Sequence, residues 1–153
     1  MKRIFLIALL GSAFPAMAHR LPMPANAPAS YQAECSSCHM AYQPALLPAN
    51  DWRKLMAGLN EHFGSDATVD PKNGAEINAF LERNGGDPKR LGSAGTPPRI
   101  TQTRHFTHHH HEVPPKFWRD PRVKSAANCE ACHSAAAKGN YSEHDIAIPE
   151  LRE

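Results

Sequence analysis

The sequence predicts a mainly α-helical protein with much irregular structure. Three observations carry this. Apolar residues recur at helical spacing in two stretches, Trp52, Leu55 and Leu59, then Ile77, Phe80 and Leu81. The 14 prolines cut the chain into short pieces. No segment shows the apolar–polar alternation of a half-buried strand.

The elements follow in chain order. Met1 to Ala18 has the three parts of a secretory signal: charged Lys2 and Arg3, an apolar run from Ile4 to Leu10, and the small-residue site Ala16-Met17-Ala18. Cleavage after Ala18 would start the mature chain at His19. The apolar run is too short to span a bilayer as a mature helix. The expectation is an exported protein, most simply of a bacterial periplasm. Residues 19–30, with Pro22, Pro24 and Pro28, read as an irregular arm. Ser30 is the expected N-cap of a first helix. Asn50 or Asp51 caps a second, whose stripe of Trp52, Leu55, Leu59 and His62, with Met56 and Phe63 beside it, runs to Gly64. A third helix spans Gly74 to Asn84 and stops at Gly85-Gly86. Gly86 to Pro98 reads as a linker, and Arg99 to Trp118 as extended or irregular. A last short helix runs from about Ser125 to Gly139. The chain thus divides into a first lobe, 31–86, and a linker with a second lobe, 87–153.

Charge excludes one class of function. The chain has 17 Lys and Arg against 15 Asp and Glu. Loss of Lys2 and Arg3 with the signal leaves 15 against 15. No basic stripe with interleaved aromatics remains to bind nucleic acid.

All four cysteines fall in two pentapeptides, Cys35-Ser36-Ser37-Cys38-His39 and Cys129-Glu130-Ala131-Cys132-His133. Each is C-x-x-C-H, the attachment motif of c-type haem. Cysteines three residues apart lie on one side of a helical turn. Both thiols therefore reach the two vinyl groups on one haem edge, and the following histidine binds the iron from the proximal side. Cys35, Cys38, Cys129 and Cys132 are thus the expected thioether links to two covalent haems. His39 and His133 are the expected proximal ligands. A zinc ribbon is a poor alternative, because its C-x-x-C pairs are typically about 15–20 residues apart. A thioredoxin-like dithiol sits in a βαβ context, which is missing here. The modest apolar content predicts a thin core, which two haem plates would fill.

The second axial position of each iron sets its chemistry. His62 is the first candidate, on the buried stripe of the second helix. Met56 is its rival, although methionine there reads better as core filler. Met40 adjoins His39 and cannot reach the opposite face of the same ring, and Met23 lies in the arm. The second candidate is one member of His108-His109-His110-His111. His105 is a weaker choice, and His144 reads as exposed. The surplus histidines also raise the possibility of transition-metal binding.

The stretches ECSSCHMAYQPALLP, WRKLMAGLNEHFG, EINAFL, RITQTRHFTHHHHEVPPKFW, KSAANCEACHSAAAKGNY and IAIP together resemble the exported bacterial dihaem cytochromes c. The resemblance covers Tyr31 to Pro149, and the NEHFG and HEVPPKFW segments are its most specific parts. It implies a class I cytochrome c-like N-terminal haem lobe joined to a C-terminal haem segment with little regular structure. It implies bis-histidine ligation of both irons, with distal ligands at His62 and at His110, three residues before Val113-Pro114. It also implies redox partners, namely a small oxygen-binding monohaem cytochrome and membrane b-type cytochromes. Proximity in sequence assigns His62 to the first haem, a crossed pairing being the alternative.

The expected function is electron transfer through two haems, without catalysis. The rival is a dihaem enzyme, a peroxidase or small-molecule reductase, with one exchangeable axial position and acid–base groups beside it.

Overall fold

The structure is a computed structural model that describes residues 20–151. The expected signal segment, with its expected cleavage site after Ala18, and His19 lie outside the described residues. Among the described residues five α-helices follow one another: α1 (Ala29–Cys35), α2 (Ala49–Ala57), α3 (Pro71–Asn84), α4 (Pro88–Leu91) and α5 (Arg104–His109). Short 3-10 turns and irregular chain join them. Among the described residues no β-sheet forms, only the isolated bridges Arg20–Asn140, His62–Ser65 and His133–Ile146. The mainly helical, largely irregular architecture read from the sequence is the one observed.

The first half is a packed three-helix unit. Asp70 caps α3 by accepting from the Lys72 and Asn73 N–H groups at 3.0 and 3.1 Å, with Pro71 at the first helical position. This cap starts α3 three residues before Gly74, the start expected from the sequence. The buried face of α3, Ile77, Phe80 and Leu81, meets Trp52 of α2 and Tyr31 of α1. The Tyr31 and Phe80 rings lie 5.1 Å apart. Full burial of each such side chain stabilises the fold by about 1.5–3 kcal/mol. Trp52 Nε1 donates to the Pro44 carbonyl at 2.7 Å, so its polar atom is satisfied inside the core. Met56 packs partly buried against this core, as expected of filler. Met23 does so too, which ties down an arm expected to be irregular.

Several boundaries differ from the sequence reading, each for a local reason. Pro28, not Ser30, is the N-cap of α1, and the Ser30 hydroxyl donates instead to Glu76 of α3 at 2.6 Å. Pro48 precedes α2, ahead of Asn50 and Asp51. That helix ends at Gly58, whose N–H closes on the Leu55 carbonyl, and a 3-10 turn Leu59–Glu61 continues the apolar spacing. His62 therefore follows a turn and is not on α2. Residues 86–98 are not simply a linker: Asp87 caps α4, Leu91 is buried, and Ala94 joins the first core. Arg99 to Trp118 is not extended, because the Thr103 hydroxyl accepts from the Phe106 N–H at 3.1 Å and starts α5. The second motif sits on a 3-10 turn, Cys129–Ala131, and not on an α-helix.

The second half has a small core of Phe117, Val123 and Ile148, flanked by Val113, Trp118, Ala131, Cys132, Ile146 and Leu151. So few buried side chains make a thin apolar centre. The N-terminal arm reaches across to this half. The Leu21 N–H donates to the Gly139 carbonyl at 2.7 Å. Gly139 has a left-handed φ of +74°, and a Cβ there would run into the Leu21 carbonyl, so only glycine fits.

Candidate functional site

Cys35 closes α1, and the chain leaves the helix at Ser36. His39 follows on the exposed turn. Its Nδ1 donates to the Met40 carbonyl at 2.7 Å, which leaves Nε2 with a free lone pair. Its ring stacks obliquely on Tyr42, 4.7 Å away. The His62 ring lies 6.3 Å from that of His39. A sharp turn puts it there: Phe63 and Gly64 both have positive φ, 53° and 92°, and the Ser65 N–H returns to the His62 carbonyl at 3.1 Å. A left-handed phenylalanine is uncommon and marks a constrained position. The Arg99 guanidinium sits over the Phe63 ring at 3.9 Å and holds it.

The second motif repeats the arrangement with different parts. The His133 N–H bonds the Cys129 carbonyl at 2.8 Å, and the Ala147 N–H bonds the Cys132 carbonyl at 2.7 Å, fixing the motif against the Ile146 segment. The His110 ring lies 6.2 Å from that of His133. His110 ends α5, where its Nδ1 donates to the Phe106 carbonyl at 2.8 Å and its ring stacks on Phe106 at 4.0 Å. Trp118 covers it at 6.0 Å. Of the four-histidine run, His110 alone is half-buried; His108, His109 and His111 are exposed, as is His144.

Both ring separations fit one geometry. A metal ~2 Å from a nitrogen of each of two opposed imidazoles, with each ring centre about 1 Å further out, separates the centres by about 6 Å. The ring pairs at this separation are His39 with His62 and His110 with His133. Burial holds His62, His110 and His133 below the usual imidazole value. They are therefore neutral, as ligands must be.

The thiols fit haem attachment and not its alternatives. Burial pushes Cys35 and Cys129, the first cysteine of each motif, up to about 11. A redox dithiol is ordinarily held at the opposite shift. Among the described residues no three His, Cys, Asp or Glu side chains converge as a zinc site requires.

A buried polar seam that sequence reasoning missed joins the two motifs. Gln43 is completely buried. Its Nε2 donates to the Ala136 carbonyl at 2.9 Å, and its Oε1 accepts from the Tyr141 hydroxyl. The Tyr141 ring lies 5.7 Å from His133. On the other side Tyr42, against His39, donates its hydroxyl to the Ala127 carbonyl at 2.6 Å. Cys38 and His39 share a cleft of about 430 Å³ with Glu130 and Ala137. Tyr42, Gln43 and Tyr141 thus set His39 and His133 in fixed relation. Nothing in their local sequence marks them, because each works through partners more than 80 residues away.

Comparison with known proteins settles the family. The dihaem cytochrome c family profile matches residues 31–141. The chain is a member of the dihaem cytochrome c family. It carries two covalently attached c-type haems and serves haem-based electron transfer. Three solved structures are similar. A dihaem cytochrome from Rhodobacter sphaeroides is 42% identical, with a TM-score of 0.63 over 72% of this chain and 94% of that one. A dihaem cytochrome from Shewanella baltica is 38% identical, with a TM-score of 0.70 over 79% and 92%. Another Rhodobacter sphaeroides structure is 37% identical, with a TM-score of 0.67 over 77% and 98%. No curated protein matches the chain. Among the described residues no helix is long and apolar enough to cross a membrane.

Proposed function

We propose that the chain is an exported periplasmic electron carrier whose two irons are each closed by two histidines. His39 and His62 serve the first haem, His133 and His110 the second, with thioethers at Cys35, Cys38, Cys129 and Cys132. The reading rests on the two ring pairs, 6.3 and 6.2 Å apart, which match opposed imidazoles on one metal. Bound haem supplies a one-electron iron couple.

The protein's part is positioning and insulation. His39 and His110 each donate Nδ1 to a backbone carbonyl, which fixes ring orientation and raises the basicity of Nε2. Phe106 and Trp118 shield His110, and Tyr42 and Phe63 flank the first pair. We read 31–86 as the first haem lobe and 87–153 as the linker and second haem lobe, with Ala94 and Ile100 of the linker packing into the first apolar cluster. The proposed partners are a small oxygen-binding monohaem cytochrome and membrane b-type cytochromes.

Carbon monoxide tests the closed-iron claim. The reduced native protein is expected to bind none at neutral pH. Substantial binding would show an exchangeable axial position and favour a dihaem enzyme instead.

A further inference from the structure

Electron transfer uses one histidine of α5 and its following turn and leaves four others. Their arrangement is specific. His105 and His109 are four residues apart and share one face of α5. Their ring centres lie 4.5 Å apart at 65°. The distances that separate opposed imidazoles by about 6 Å place two adjacent ones, about 90° apart on the same metal, roughly 4.5 Å apart. The pair thus has the spacing of a chelate with neighbouring positions occupied. Neither histidine spends a ring nitrogen on a hydrogen bond among the described residues. His110 and His111, in contrast, commit Nδ1 to backbone carbonyls.

The other combinations fit less well. His108 and His111 lie 6.0 Å apart, but their rings stack face to face at 8°, not edge to edge across a metal, and His111 commits Nδ1 to the His108 carbonyl while its Nε2 lies 3.8 Å from Glu112. His108 comes within 5.3 Å of His109, but no three donors converge on one point among the described residues. The site therefore has two protein ligands, and water completes the coordination. Imidazole donors suit zinc, copper and nickel.

We infer that His105 and His109 form a surface chelate for a divalent transition cation of the zinc or copper kind, separate from the haem ligands. The run of four histidines is then incidental to the site: its first partner lies outside the run.

Titration calorimetry of the untagged haem-loaded protein with Zn²⁺, which is redox-inert, tests this. The native protein is expected to bind one equivalent saturably. H105A/H109A is expected to weaken binding by about tenfold or more, and H108A/H111A by no more than about twofold. The single variants H105Q and H109Q should show the same loss, and they carry the test should the double variant fail to take up haem. Absence of saturable binding by the native protein overturns the inference. So does binding that survives H105A/H109A, or that falls equally in H108A/H111A. The visible haem spectrum separates this from the ligand assignment. A low-spin spectrum lost in H109Q would mean that His109, not His110, holds the second iron.

Discussion

Replacing Gln43 with leucine removes a side chain that hydrogen-bonds both the Ala136 backbone and the Tyr141 hydroxyl. Leucine is close in size, so little cavity forms and the packing term stays small. The cost comes from one polar group left without its partner, the Tyr141 hydroxyl, and from one lost bond at the Ala136 carbonyl, which keeps the Gly139 N–H at 2.7 Å. The Ala136 carbonyl and the Tyr141 hydroxyl each lose a bond at a buried or part-buried site. The orphaned hydroxyl costs about 1–3 kcal/mol and the lost bond about 1 kcal/mol, so the expected loss is about 2–3 kcal/mol. That is a large share of a typical domain's total of roughly 5–15 kcal/mol. Guanidinium unfolding of the haem-loaded protein reads it. Tyr141→Phe should cost about 1–2 kcal/mol, and the double variant should fall short of the sum by about 1 kcal/mol, because the two share one bond. A Gln43→Leu protein within about 0.5 kcal/mol of native would refute the claim that this seam holds the halves together.

Three further outcomes are expected. His62→Ala should open one iron only, giving a partial high-spin spectrum and carbon monoxide binding at about one site per chain; an unchanged spectrum would remove His62 from the ligand set. Gly139→Ala should destabilise by more than about 1 kcal/mol in the same unfolding assay, since φ is +74° and the new Cβ meets the Leu21 carbonyl. The hydrogen bonds from Arg122 hold the Asp120 carboxyl down at about 2. Its stabilising contribution is complete above the ordinary value of 3.8 and disappears as pH falls through about 2. An NMR titration should show Arg122→Ala returning Asp120 toward 3.8, and an unmoved midpoint would discount the pair.

Haem attachment was legible because its chemistry is local. Five consecutive residues hold both thiols and the proximal histidine, so spacing alone carries the message. The core of α2 and α3 was legible from period, since Trp52, Ile77, Phe80 and Leu81 face one another across two helices. The end of α2 was hidden because the turn after Gly58 keeps Leu59 and His62 in phase with the stripe. Helix α5 was hidden because threonine and histidine are weak helix formers. It is held by the Thr103 cap and by contacts of Phe106 with Trp118. The choice of His110 within its run depends on burial beneath Trp118 and approach to His133, which only the tertiary structure displays. Tyr42, Gln43 and Tyr141 were invisible for the same reason.

Low-temperature electron paramagnetic resonance of the oxidised, haem-loaded protein addresses the ligation most directly. The account predicts two low-spin ferric signals of bis-imidazole type in equal amount, with no high-spin component at neutral pH. A stoichiometric high-spin signal, or a low-spin signal typical of histidine–methionine ligation, would contradict it.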